Sequence, residues 1–373
     1  MLVSDLITWI INNMLPFLLM ITPVVFFHEL GHFLVARACG VSIETFSIGF
    51  GPALISWNDR KGTLWKISLV PLGGYVKFLG DTNVVSFPEA DQSQQLSAQE
   101  KASAFAFKPV YQRALIVVAG PVANFVLAIA ILAGFLMASG SVVIAPVVHK
   151  VVPGSPAAAA GIHAGDTVVS VNGKTIDTFD QIPIAIWDQA GRVVSVVVQR
   201  QGKDISLHAV PRLSANKEFG QRVAQLGIEG PTSKDWKTVR YGPISAVAEA
   251  SRQTWSVVQQ TFEFLLKRYS LQLNGDQLRG PLGIAEISAQ VAQVSWLSLF
   301  RLAAFVSISV GLINLFPIPV LDGGHLLYYG CEAVLGRPLG ARAQDVGFRL
   351  GLAFILGLFL FATWNDIARL LTQ

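Results

Sequence analysis

From Leu6 to Phe27 the chain carries no charged residue, and this run closes on His28-Glu29-Leu30-Gly31-His32. A helix that crosses a bilayer takes about 20 mainly apolar residues, so the run is long enough to span. The pattern at its end is H-E-x-x-H. On a helix, positions i and i+4 share a face, which turns both imidazoles toward one metal ion. Glu29, next to the first of them, is placed to take a proton from a metal-bound water. Ionisable groups at the end of an apolar span are costly and mark function.

Composition agrees with a membrane location. The 373 residues are 52% hydrophobic and only 14% charged, where soluble domains carry about 25% charged residues. The net charge of +4 comes from scattered Lys and Arg with no basic run, so nucleic acid is not an expected partner. Cys39 and Cys331 stand alone and make neither a disulfide framework nor a thiolate metal site. Met1 to Leu6 lacks the positive start of a signal peptide, so the first apolar segment is expected to stay in the mature protein.

The expected fold is a polytopic α-helical membrane protein with four transmembrane helices, a membrane-associated β-hairpin region and an inserted extracytoplasmic α+β domain. The four spans are about Leu6–Ala38, Ala114–Ala138, Leu302–Leu321 and Val346–Trp364. Pro16 and Pro23 should kink the first, which Arg37 closes. Between spans one and two, Gly40 to Leu79 reads as short β-hairpins near the membrane, with turns at Gly49-Phe50-Gly51-Pro52 and Gly73-Gly74. Asp81 to Ala104 is polar and reads as a flexible cytosolic loop. Ala119-Gly120-Pro121 and Asn124 open the second span. They read first as helix packing, and only secondarily as neighbours of an active site.

The residues then divide into four regions: 1–140 with spans one and two, 141–230 as the inserted domain, 231–297 as an amphipathic connector, and 298–373 with spans three and four. In the inserted domain Val142 to Val152 is strand-like, Asn172-Gly173 is a hairpin turn, and Val193–Val198 and Ile205–Val210 are strands. The run from Ala160 to Gly173, A-G-I-H-A-G-D-T-V-V-S-V-N-G, resembles a PDZ domain of the bacterial protease type. Such domains bind peptides by adding a strand at a sheet edge. In the connector Ile244, Val247, Trp255, Val258, Phe262 and Leu265 fall near one helical face. That helix is expected to pack beside the inserted domain rather than lie on the membrane surface.

The third span ends in Asn314-Leu315-Phe316-Pro317-Ile318-Pro319-Val320-Leu321-Asp322-Gly323-Gly324-His325. Two prolines so close must unwind the backbone, which is tolerated at membrane depth only inside protein or beside a cavity. Arg60, Lys61, Lys66, Lys77, Lys101 and Lys108 lie between spans one and two, and Arg337 and Arg342 between three and four. By the positive-inside rule both stretches are cytoplasmic. His28, Glu29, His32 and Asp322 then lie on one side of the membrane.

A catalytic zinc takes three protein ligands and keeps one position open. His28 and His32 supply two, and Asp322 is the first choice for the third, with His325 as its rival. Glu29 is left as the base, and Asn314 can hydrogen-bond substrate backbone or the oxyanion. Two other readings compete: a catalytically silent PDZ-bearing scaffold, and a metal-dependent hydrolase of lipid or a small amide. The acid beside the ligands speaks against the first, and a peptide-binding fold against the second.

Taken together, H-E-L-G-H, G-F-G-P, P-L-G-G-Y-V-K, A-G-P-V-A-N-F, the PDZ run and N-L-F-P-I-P-V-L-D-G-G-H resemble the bacterial site-2 proteases of the RseP type, in that family's order and over nearly the whole chain. The resemblance implies a zinc-dependent intramembrane endopeptidase. Its partners would be single-pass transmembrane substrates, such as a trimmed anti-sigma factor or remnant signal peptides, with membrane lipid around it and a peptide ligand for the PDZ domain. It implies His28, His32 and Asp322 as zinc ligands, Glu29 as acid and base, and Asn314 with Gly73 and Gly74 as substrate-binding residues, the last two in a membrane-reentrant β element that holds substrate extended. It places the protein in the bacterial inner membrane, with the PDZ domain and both termini periplasmic and the active site near the cytoplasmic side. One departure is plain: the best-known members carry two tandem PDZ domains, and this sequence shows one.

Overall fold

A computed structural model describes residues 3–80, 97–215, 222–232, 236–268 and 280–372. In chain order it begins with α1 (Val3–Ala38), β1 (Ile43–Asn58), β2 (Leu64–Phe78), α2 (Ala98–Ser103) and α3 (Val110–Ser139). A β-rich stretch follows: β3 (Ser141–Val143), β4 (Lys150–Val151), α4 (Pro156–Ala159), β5 (Thr167–Val171), β6 (Lys174–Thr175), α5 (Gln181–Ile186), β7 (Val194–Arg200), β8 (Lys203–Ala209), β9 (Arg212–Ala215), β10 (Arg222–Gln225), β11 (Ile228–Glu229) and β12 (Lys237–Val239). The chain closes with α6 (Pro243–Arg268), α7 (Pro281–Val294), α8 (Trp296–Asn314), α9 (Asp322–Leu335) and α10 (Ala341–Thr372). Two compact units result. One joins Met1–Phe135 to Pro243–Gln373, and the other is Leu136–Gly242, somewhat longer at both ends than the 141–230 expected.

Among the described residues of the helical unit, four helices are long and apolar enough to cross a membrane: Asn12–Ala38, Val110–Ser139, Trp296–Asn314 and Ala341–Arg369. α1 runs through Pro16 and Pro23 without a break. The third span is shifted from the expected Leu302–Leu321 to Trp296–Asn314. The helix stops at Asn314, and Leu315 to Leu321 is irregular, because Pro317 and Pro319 cannot donate the next helical bonds. α9 then starts at Asp322, a helix the sequence reading did not separate from the span before it. The fourth span is longer than Val346–Trp364.

The short hairpins expected over Gly40 to Leu79 are one pair of long strands, each turning a corner. Ile43 pairs with Phe78 and Ile48 with Gly74; Ala53 pairs with Ser68 and Asn58 with Leu64. In between, Thr45↔Leu64 to Ile48↔Ile67 advance together in both strands. The register therefore orders four segments side by side: 53–58, 64–68, 43–48 and 74–78. The corners fall at Gly49 (φ +85°) and Gly73 (φ +118°), where a side chain would also strike Val70 O or the Phe50 ring. Phe46 fixes this element to α1. It is fully buried, with its ring 5.3 Å from Phe33 and 4.3 Å from Trp65. Arg37, at the end of α1, pairs with Asp59 in the turn between the strands and donates to Thr63 Oγ1 at 2.9 Å.

Of the expected loop Asp81–Ala104, residues 81–96 lie outside the described residues. The remainder is not loop but α2, which Ser97 and Glu100 start with a reciprocal capping box. The amphipathic helix expected beside the inserted domain is α6, and it belongs to the helical unit, where Phe262 stacks on Phe316 at 6.1 Å. Of the apolar stripe expected to pack, Val258 is buried, whereas Ile244, Val247 and Trp255 remain exposed.

Leu136–Gly242 is built on a sheet in the order β6-β5-β7-β8, with the smaller pairs β11-β4, β12-β3 and β10-β9. Val148, Ile162, Val168, Val171, Val194 and Val196 form its core. The expected Asn172-Gly173 turn is present, both residues at positive φ. Val142 to Val152 is not one strand: Pro146 interrupts it, leaving β3 and β4 with a single bridge between Val147 and Thr167.

An ion pair on a buried carboxylate ties the domain together. Arg200 grips Asp166 with two bonds of 2.7 Å and donates to Gly161 O at 2.7 Å, while Asp166 also accepts from His163 N at 2.8 Å. Asp166 is 1% exposed, and the Arg200 guanidinium holds its carboxyl below the usual carboxylate range. Removing the arginine leaves the Asp166 carboxylate without its partner, so Arg200→Ala should destabilise this unit. A lowered folded-state pKa contributes stability that is complete above about pH 4 and lost as pH falls below it. The difference between wild type and Arg200→Ala should narrow there, read as hydrogen-exchange protection of residues 136–242 in the full-length protein.

Candidate active site

His28 and His32 lie one turn apart on α1, and their Nε2 atoms are 3.3 Å apart. Asp322, the first residue of α9, directs Oδ2 to within 3.2 Å of His28 Nε2 and 3.5 Å of His32 Nε2. That carboxylate oxygen is buried and has no hydrogen-bond partner. Two ligands held about 2.0–2.1 Å from one ion at a tetrahedral angle stand about 3.3–3.4 Å apart. The three observed spacings match this figure, so the donor set fits a tetrahedral zinc with a fourth position open. Among the described residues these three form a cluster able to hold a metal. His325 is not part of it.

The ring of His32 is oriented from behind. Its Nδ1 donates to Ile116 O at 2.9 Å, which leaves Nε2 bare toward Asp322. Buried Asn124 places its carboxamide 3.2 Å from His28 Nδ1. At Gly120 an added Cβ would sit 2.2 Å from His32 Nε2 and 2.9 Å from His28 Cε1, and at Gly31 it would sit 2.3 Å from Ala119 O. The Ala119-Gly120-Pro121 stretch, read from sequence as helix packing, thus both lets α1 and α3 close on each other and makes room for the imidazoles.

The glycines after Asp322 act similarly. A Cβ at Gly323 would lie 2.2 Å from Phe316 O, and one at Gly324 2.5 Å from Ile318 O. α9 can start against the irregular 315–321 segment only because both side chains are absent. On α10, Gly351 meets Pro319 O at 2.0 Å in the same sense. Val320, two residues before Asp322, holds φ at +99°, a strained value for a β-branched residue. Arg113 on α3 fixes the far part of α9 through Glu332 at 2.6 Å.

A cavity of about 230 Å³ opens on the cluster, lined also by Glu29, Gly74, Tyr75, Asn314, Val320 and His325. Glu29 is partly buried, and Gly74 packs on it: a Cβ there would be 3.0 Å from Glu29 Cγ. Of the residues expected here, the fold brings together His28, Glu29, His32, Asp322, Asn314 and Gly74. Gly73 is not in the lining and forms the corner beside Phe50. The Ile116 carbonyl and the Val320 backbone carry no signal in the sequence. Asn124 had one, as a polar residue in an apolar span.

The family model for peptidase family M50 matches residues 16–358. The chain belongs to that family, the site-2 protease type. It is 43% identical over 361 residues to a protein of Agrobacterium fabrum named as a zinc metalloprotease, covering 95% of this chain and 96% of that one. It is 41% identical over 378 aligned positions to the metalloprotease MmpA of Caulobacter vibrioides, with 94% of each covered. To the regulator of sigma-E protease RseP of Escherichia coli it is 31% identical over 441 positions, 92% of this chain and 95% of RseP. The last alignment is longer than this chain, so RseP carries residues inside the match that this chain lacks. The M50 chain described here is thus a zinc metalloprotease, with four helices of membrane-spanning length and composition.

Proposed function

We propose that this M50 protease cuts single-pass membrane proteins in or near the bilayer, as a step of regulated intramembrane proteolysis. The observation that carries the reading is that one cavity at the ends of apolar helices holds two imidazole nitrogens, a carboxylate oxygen, a further carboxylic acid and a strand edge. His28, His32 and Asp322 hold the zinc. A zinc ion held there would supply polarisation of the scissile carbonyl and a water nucleophilic near neutral pH. Glu29 accepts the proton of the attacking water and returns it to the leaving amide nitrogen. Asn314 donates to the substrate carbonyl or to the oxyanion that develops on it.

A helical substrate hides its amides in i→i−4 bonds and must be unwound before it is cut. The 74–78 segment pairs with 43–48 on one side, and among the described residues no strand covers the other. A substrate strand added there exchanges its helical bonds for sheet bonds directly beside Glu29. Gly74 permits that approach, and Gly73 turns the strand into it. We read Leu136–Gly242 as a single PDZ domain, from the 160–173 run and its Asn172-Gly173 hairpin, able to take a peptide ligand. The Lys and Arg between the spans put it and both termini outside the cytoplasm of a bacterial inner membrane, with the zinc site near the cytoplasmic face. Trimmed anti-sigma factors and remnant signal peptides are the substrates this arrangement suits. A silent scaffold would have no use for Glu29 beside the ligands.

The test is cleavage of tagged single-span reporters, their outer domains already removed, by the full-length protein in vesicles. The expected result is a cut within the span that chelation abolishes and zinc restores. Equal cutting of soluble peptides, or intact reporters with zinc bound, would overturn the proposal.

A further inference from the structure

Each zinc-binding imidazole must present one bare nitrogen, and a neutral ring then carries its proton on the other. For His32 the acceptor of that proton is the Ile116 carbonyl, at 2.9 Å from Nδ1. For His28 the group facing Nδ1 is the Asn124 carboxamide, at 3.2 Å through Nδ2. Asn124 is fully buried, and its Oδ1 makes no hydrogen bond. An amide donor facing Nδ1 would require that nitrogen to be bare and would move the proton of His28 to Nε2, the atom aimed at Asp322. A half-turn of the carboxamide brings Oδ1 to the Nδ1 proton instead and leaves Nε2 free. In the first orientation Oδ1 has no partner, and the requirement of His28 favours the second.

The residue is held for this task. It lies four positions after Gly120 and so one turn along the same face of α3. Its backbone carbonyl accepts from Ser307 Oγ on α8 at 2.8 Å, and Gly311 on α8 lets Pro121 O and Asn124 Cβ approach, 3.0 and 3.3 Å from where its own Cβ would be. We infer that Asn124 is a positioning residue for the metal site: its amide oxygen accepts the Nδ1 proton of His28 and so fixes the ring with Nε2 bare for zinc. This rests on the reading of His28 as a ligand.

The experiment measures zinc affinity by chelator competition on the full-length protein in detergent, for wild type, Asn124→Leu, Asn124→Asp and His28→Ala. It also records the protonated nitrogen of His28 by NMR with ¹⁵N-labelled histidine. Loss of such an outer partner costs about 10–100-fold in metal affinity, the fall expected for Asn124→Leu. Asn124→Asp, which keeps an acceptor of the same shape, should stay within a few-fold of wild type. The His28 proton should lie on Nδ1 in both acceptor-bearing proteins. Asn124→Asp weakening zinc as much as Asn124→Leu, or the proton found on Nε2 in the zinc-loaded wild type, would overturn the inference. If Asn124→Leu does not fold, Asn124→Asp and the proton position decide alone. Zinc retained by His28→Ala would remove the ligand reading beneath it. Zinc lost by His28→Ala but bound normally by Asn124→Leu would overturn the Asn124 inference by itself.

Discussion

Replacing Glu29 by Gln should abolish cleavage and leave zinc in place. The amide has the shape of the acid but cannot take a proton from water. General acid–base groups contribute about 10²–10⁴-fold, and that is the expected fall in single-turnover cutting of a membrane-span reporter. Zinc content should not change, because Glu29 is outside the group of donor atoms that converge from His28, His32 and Asp322. Gly74, whose Cβ position is 3.0 Å from Glu29 Cγ, keeps its place against either side chain. A loss of zinc with the activity would make Glu29 a ligand and displace one of the three. A fall of less than about tenfold would leave the proton to some other group, and besides the ligands the cavity is lined by His325, Tyr75 and Tyr329.

The second large effect is expected from a single methyl group. Gly120→Ala puts a carbon 2.2 Å from His32 Nε2 and 2.5 Å from His32 Cε1. α3 is also packed closely on α8, where Pro121 O and Asn124 Cβ approach Gly311. The imidazole must leave, and with it goes its bond to Ile116 O. Zinc affinity should fall by at least about 100-fold, beyond the range of outer-partner changes, and cleavage should fall with it. Gly134→Ala on the same helix meets nothing within 4 Å and serves as the control, with zinc and cleavage unchanged. Normal zinc binding in Gly120→Ala would mean that the two histidines do not share a metal in the way their spacing implies.

Part of this site is legible without a fold. H-E-x-x-H fixes its own geometry, because helix periodicity alone brings His28 and His32 together. The uncharged run before it places the pair in the C-terminal third of an apolar helix, and Pro317 and Pro319 announce a break before Asp322. The start of α9 at Asp322 was less legible. Gly323 and Gly324 let the first turn of this helix lie on the carbonyls of Phe316 and Ile318, a long-range contact that the sequence does not display. The β element was seen as hairpins because Gly and Pro punctuate it. That both long strands turn corners at Gly49 and Gly73 follows from pairings between residues 19 to 35 positions apart, which local pattern does not encode. The roles of Ile116 O and of the Val320 backbone were invisible, since any residue has a carbonyl and nothing in a valine side chain forecasts a positive φ. The apolar stripe of α6 is a poor guide to its packing, because Val258 is buried while Ile244, Val247, Trp255 and Phe262 of the same stripe stay exposed.

The account turns on which atoms hold the zinc, and zinc-edge X-ray absorption on the full-length protein reads them directly. It predicts two imidazole nitrogens and two oxygens, one from Asp322 and one from solvent, all at about 2.0–2.2 Å, with the spectrum unchanged in His325→Ala and a lost oxygen scatterer in Asp322→Ala. A third imidazole that disappears in His325→Ala, or a sulfur shell at about 2.3 Å, would contradict it.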